Sequence, residues 1–146
     1  MHYRVAFFGS PRWLNSRRLQ RIGLDRRITT VDSRWVTEPA GQASSDTTIA
    51  LVQLGAKVAA SLAVIEQMSR LNRSLRCIAV SRSCDDGLLR GCVEAGAWAL
   101  VLASADAREV LDVIHAVGAG RLVYSQDVLD RIVTFRGRMS LASGSC

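Results

Sequence analysis

Two rhythms of apolar residues alternate along this chain. Short continuous runs read as strands, and stretches in which apolar side chains recur every three or four positions read as amphipathic helices. The run over residues 3–8 (Tyr-Arg-Val-Ala-Phe-Phe) predicts a first strand, and Ser10-Pro11 then opens a helix with proline in its first turn. Trp13, Leu14, Leu19 and Ile22 give that helix one apolar side, and it ends near Gly23. Residues 28–31 predict a second strand, whereas Pro39, Gly41, Ser44 and Ser45 break up 34–46 into a short helix or loop. Residues 48–54 (Thr-Ile-Ala-Leu-Val-Gln-Leu) are apolar without alternation, the mark of a central strand covered on both faces.

The same alternation continues to the end. Val58, Leu62, Ile65 and Met68 stand at helical spacing, and residues 76–80 predict a fourth strand. Asp85 is placed to cap a helix carrying Leu88, Leu89, Cys92 and Val93, with Gly96 as its terminal glycine. Residues 98–102 predict a fifth strand. Asp106-Ala107-Arg108-Glu109 has capping-box spacing ahead of Val110, Ile114 and Val117, and Gly118 and Gly120 stop that helix. Residues 122–124 predict a short extended piece, 126–136 a last helix, and 140–146 a loose tail. Strands alternating with helices specify an α/β fold, a parallel sheet with helices on both faces and right-handed crossovers. Sites in such sheets form beyond the carboxyl ends of the strands. Gly9, Ser10, Gln53, Ser81 and Ala103 all fall there.

At 146 residues, 49% of them hydrophobic, the chain suffices for one domain with a real core. No apolar run approaches the roughly 20 residues of a membrane helix, and the N-terminus lacks the long apolar stretch of a signal peptide, so a cytoplasmic protein is expected. The net charge is +6, and Lys57 is the only lysine among 19 basic residues. The arginines are spread out, with one denser run from Arg12 to Arg27; it reads either as a solvated basic face or as a polyanion contact. Cys77, Cys84, Cys92 and Cys146 form no CxxC pair, and His2 and His115 stand apart, so no metal or other cofactor is expected and the thiols are expected to be reduced.

The stretch from residue 48 to residue 127 resembles receiver domains of the NarL/LuxR response-regulator type. Glu94-Ala95-Gly96-Ala97-Trp98-Ala99-Leu100-Val101-Leu102 is similar to that family's "xAGAxGYVLK" passage, and residues 106–120 (DAREVLDVIHAVGAG) to its "SPEELLEAIRAVAAG" helix. Ile78-Ala79-Val80-Ser81 with Asp85-Asp86 looks like its fourth strand and next helix start. The resemblance implies a doubly wound, flavodoxin-like five-stranded parallel sheet of strand order 2-1-3-4-5. It also marks departures. The two acids that help hold magnesium fall on Gly9 and Ser10, the phosphorylated aspartate on Gln53, the conserved-type lysine on Ala103 and the switch aromatic on Leu100; only the hydroxyl residue is kept, as Ser81. An amide is a very poor nucleophile for an acyl phosphate, magnesium wants anionic oxygens, and a transferred phosphoryl group needs nearby positive charge. Aspartyl phosphorylation is therefore not expected.

The resemblance further implies a signalling module that acts by protein contact, within bacterial transcription regulation and through a homodimer or a partner protein. One candidate interface is the face of the fourth helix, fifth strand and fifth helix, where Leu88, Leu89, Trp98, Arg108, Leu111 and His115 fall; the face of the first and fifth helices would use Arg17, Arg18 and Arg21. Residues 1–121 are read as the receiver-like domain and 122–146 as an extension that begins where family members link to a helix-turn-helix module. Sequence-specific DNA binding by these residues is not expected, because no recognition helix is read among them. An alternative is a small-ligand sensor using the former phosphorylation pocket. An enzyme is not expected. Residues 5–11 are similar to the opening of methionyl-tRNA formyltransferases, but that enzyme's Asn, His and Asp set has no counterpart, and no Gly-rich phosphate loop or Ser-His-Asp arrangement is visible.

Overall fold

The computed structural model describes residues 2–31, 48–72 and 74–124. Strands β1 (Tyr3–Phe8), β2 (Ile28–Thr30), β3 (Thr48–Gln53), β4 (Leu75–Ser81) and β5 (Ala99–Leu102) form one parallel sheet of order β2-β1-β3-β4-β5. The register pairs Val5 with Ile49, Ala50 with Cys77 and Ile78 with Ala99. This is the doubly wound α/β fold expected. The apolar run of β3 takes the middle of the sheet, where five of its six residues are buried.

Period-two alternation sends consecutive side chains of each strand into different cores. Val5, Ile49, Leu51, Ile78, Val80 and Val101 join one, while Ala6, Ala50, Val52, Cys77 and Ala79 join the other. Ile22 of α2 (Arg17–Gly23) and Val110, Ile114 and Val117 of α5 (Ala107–Gly118) cover the first; Ile65 and Met68 of α3 (Val58–Leu71) and Cys92 of α4 (Asp86–Glu94) cover the second. Asp85 Oδ1 accepts the Leu88 N–H at 2.8 Å and Asp106 Oδ1 the Glu109 N–H at 2.9 Å, so both anticipated caps form. Gly96, at φ +90°, makes the left-handed turn after α4.

The helix expected from Ser10 to Gly23 is instead two, α1 (Pro11–Leu14) and α2. Ser10 Oγ accepts the Trp13 N–H and Ser16 Oγ that of Leu19, so each serine starts its own helix and the chain breaks between them. After α5, Val123 bridges Ala99 in parallel and the Tyr124 hydroxyl donates to the Ala97 carbonyl at 2.6 Å. Residues 122–124 thus lie along the outer edge of β5, with Leu122 and Tyr124 against Leu89 and Val93. The segment 34–46, the helix expected at 126–136 and the tail 140–146 lie outside the described residues. Cys77 and Cys92 are free, buried thiols. Cys84 is disulfide-bonded, which corrects the expectation of a reduced thiol; it lies in the loop after β4 rather than in the core. Among the described residues no helix is long and apolar enough to cross a membrane.

Candidate functional site

Parallel pairing brings the carboxyl ends of four strands to one edge. Gly9 and Ser10 follow β1, Gln53 ends β3, Ser81 ends β4 and Ala103 follows β5. Ser10, Gln53, Ser81 and Ala103 line an open cleft of about 370 Å³ with Arg82 and Ser83. Gly9 lies to one side of it, exposed, with the Trp13 ring beside it. A Cβ added at Gly9 would overlap Trp13 Cε3 and stand 2.7 Å from Gln53 Oε1. The Trp13 ring meets Phe7 edge-on, with centroids 6.1 Å apart. An aromatic ring therefore stands in the space beside Gly9.

The polar groups of the crevice are largely used by the fold. Gln53 Oε1 accepts the Ser10 N–H at 2.8 Å and so ties the β1 loop to the end of β3. Ser81 is buried, and its hydroxyl oxygen accepts the Ser83 N–H at 3.4 Å. The Ala103 N–H donates to the Ser81 carbonyl at 2.7 Å, and the Arg18 guanidinium donates to the Ala103 carbonyl. Arg18 thus brings a cation toward the end of β5 from another element. Sequence reasoning had grouped it with surface arginines; its spacing of four from the buried Ile22 is the signal that places it on the inner side of α2.

A resident magnesium ion does not fit these residues. Gly9 has no side chain, the Ser10 hydroxyl and Gln53 Oε1 already serve as acceptors, and no carboxylate lines the cleft, where Arg82 is the charged side chain. Among the described residues no three His, Cys, Asp or Glu side chains are grouped to hold a metal. Leu100 is placed elsewhere, in a second cleft of about 320 Å³ between β5 and α5 with Leu102, Glu109 and Val113.

The candidate interface residues are not brought onto one exposed patch. Leu88 and Leu100 pack partly against the α3/α4 core, and Trp98 and Leu111 against the α2/α5 core. Arg76 lies over the Trp98 ring, 4.7 Å from its centroid, and donates to the Val117 and Gly118 carbonyls at 2.8 and 3.0 Å. His115 turns toward Tyr3 and Asp25, with Nε2 3.5 Å from Asp25 Oδ2. Arg108 is exposed, as are Arg17 and Arg21 on α2.

Comparison with solved structures places the fold. The chain is similar to a two-component response regulator of the LuxR family from Aurantimonas sp. SI85-9A1, with TM-score 0.65 and 16% identity over 90% of this chain and 95% of that one. A CheY-like response regulator receiver domain protein from Methanospirillum hungatei JF-1 gives TM-score 0.61 and 14% identity over 82% and 95%. A protein described as related to pilus assembly, from Burkholderia pseudomallei K96243, gives 0.62 and 20% over 86% and 95%. The five-stranded order 2-1-3-4-5 with its helices is thus the receiver, flavodoxin-like fold. No family model and no curated protein sequence matches the chain.

Proposed function

We propose that this chain is a receiver-type signalling module that works without aspartyl phosphorylation, by contact with a protein partner or a second copy of itself, in bacterial cytoplasmic transcription regulation. The observation that carries this reading is the Gln53 side chain. It sits at the β3 position where a receiver carries its phosphoacceptor, and its oxygen is committed to the Ser10 amide. A neutral amide there removes the nucleophile, and Gly9 under Trp13 removes the space for an acid beside it. The gain is to the fold: clustered carboxylates repel without a cation among them, and a neutral crevice carries no such cost. No reaction is assigned to the chain.

The test is incubation with acetyl phosphate and magnesium followed by intact mass measurement. No phosphoryl adduct is expected on the parent protein or on Gln53→Asp, since one restored carboxylate still lacks its acidic neighbours. A stable adduct on the parent would overturn the proposal. A second reading, a small-ligand sensor, is favoured by the open cleft of about 370 Å³ above Gln53. A metabolite that raises the thermal midpoint of the parent but not of a cleft variant, Ser81→Leu, would select it.

A further inference from the structure

The α1–α2 face carries arginines that make no ion pair among the described residues. Residues 10–27 contain six arginines and a single acid, Asp25. That acid is already engaged: Asp25 Oδ1 accepts the Arg27 N–H at 2.8 Å and lies 3.4 Å from Arg27 Nε. Arg12, Arg17, Arg21 and Arg26 are exposed, and among the described residues none of them makes an ion pair. Arg17, Arg18 and Arg21 line a cleft of about 540 Å³ together with Trp13 and Ser16. Asp106 is the acid in it, and its Oδ1 caps α5. Three arginines thus share a cleft with one carboxylate, and the Arg18 guanidinium is already on the Ala103 carbonyl.

This arrangement works against folding. Arg17 and Arg18 fill the first turn of α2, where the helix dipole favours acids and none is present, whereas Arg12 and Arg21 sit in the last turns of their helices, where it favours cations. Arg17 and Arg21 are four residues apart on one helix side, where like charges repel. Exposed like charges with no ion-pair partner among the described residues are the kind of local conflict that marks a functional surface. The compensating group must be anionic and extended, since the exposed arginines run along two successive helices. Guanidinium forks match phosphate oxygens in pairs. The half-exposed Trp13 in the wall of the same cleft adds an aromatic surface, and cations tracking a backbone beside an aromatic ring are the means by which single strands are held.

We infer that the α1–α2 face, through Arg12, Arg17, Arg21 and the Trp13 cleft, binds the phosphodiester backbone of single-stranded nucleic acid without sequence preference. Neither helix is a groove-reading element, so the duplex form is the weaker ligand. The binding does not depend on how the crevice at Gln53 is read.

The experiment is fluorescence anisotropy with a labelled oligothymidylate about 20 nucleotides long, beyond the ~4–16 that a small binding groove covers. Affinity is expected to fall steeply between about 50 and about 200 mM salt. R12A/R17A/R21A is expected to weaken binding about tenfold or more and to reduce the slope of log K on log salt by about 2, the share of three phosphate contacts to a single strand. R70A/R82A/R121A removes the same charge from exposed positions outside that cleft and is the control, expected to bind nearly as the parent. The thermal midpoint of R12A/R17A/R21A should stay close to that of the parent, because relieved repulsion offsets the loss of cations from two last turns; should the triple variant unfold, R12A and R21A singly are expected to show the same loss in smaller steps. Absence of parent binding at low salt, or equal losses in the two triple variants, would overturn the inference, as would tighter binding to a duplex of the same length.

Discussion

At the scale of single residues, two glycines decide what the fold can hold. Under the proposed function Gly9 takes the position of a receiver acid, so Gly9→Asp is the substitution that would put a carboxylate there. The backbone there has no room: a Cβ would overlap Trp13 and lie 2.9 Å from Gln53 Cβ. We expect Gly9→Asp to cost about 1–3 kcal/mol by overpacking, read as a lower urea midpoint with an unchanged slope. Unchanged stability would mean that Trp13 swings away freely and that the crevice is less closed than described. Gly118 presents the same problem in the core. A Cβ on it would overlap Tyr3 Cε1 and stand 2.6 Å from Cζ, and the Tyr3 ring is held between that backbone and His115, 5.6 Å away. Gly118→Ala should therefore destabilise by a similar amount, although alanine is ordinarily the better helix former. The sign of that change separates close packing from helix propensity.

At the scale of elements, β1, β3, β4 and β5 were legible because each is a short apolar run, and Asp85, Asp106 and Gly96 were named by residue type alone as caps or turn. What the pattern did not reveal is where side chains compete with it. The apolar spacing of Trp13, Leu19 and Ile22 runs through Ser16 as if one helix were present, yet the Ser16 hydroxyl captures the Leu19 amide and divides it. His115 reads as a surface residue of α5, but it lies beside the buried stripe of Ile114 and faces the loop between α2 and β2. That Gly9, Ser10, Gln53, Ser81 and Ala103 fall at or just past strand ends was legible in the sequence; the approach of Trp13 and Arg18 to them was not, since both come from outside the strand ends. That same α2–β2 loop gives a pH prediction. Asp25 is held below the usual carboxylate range, first by the Arg27 backbone N–H and then by its guanidinium. A carboxyl whose folded pKa is depressed contributes stability that is present above its unfolded value of about 3.9 and lost as pH falls through the folded one. The stability difference between the parent and Asp25→Asn should thus stay level above about pH 5 and shrink below about pH 4. A difference that grows on acidification would contradict the sign.

At the scale of the whole molecule, one sheet serves two cores, and the strands that make the first also make the second. β3 and β4 send Ile49, Leu51, Ile78 and Val80 to one side and Ala50, Val52, Cys77 and Ala79 to the other. Neither helical layer can leave without exposing a face of the same central strands, so the two sides should unfold together. Two thiols report on this. Cys77 on β4 and Cys92 on α4 are fully buried in the α3/α4 core, and burial pushes each up to about 11. Because the thiolate is the reactive form, neither should alkylate in the native state near pH 8, whatever the reagent. Iodoacetamide labelling followed by mass should proceed only through unfolding, at a rate that rises with urea by the same slope as the loss of circular dichroism. The decisive comparison is between the two cysteines. Equal rates that track global unfolding would show one cooperative unit; faster labelling of Cys92 than of Cys77 would show α4 lifting from a standing sheet. Such lifting would open Leu89 and Val93, the surface now covered by Leu122 and Tyr124. The rate difference would then measure how firmly the chain's own return strand holds that face closed.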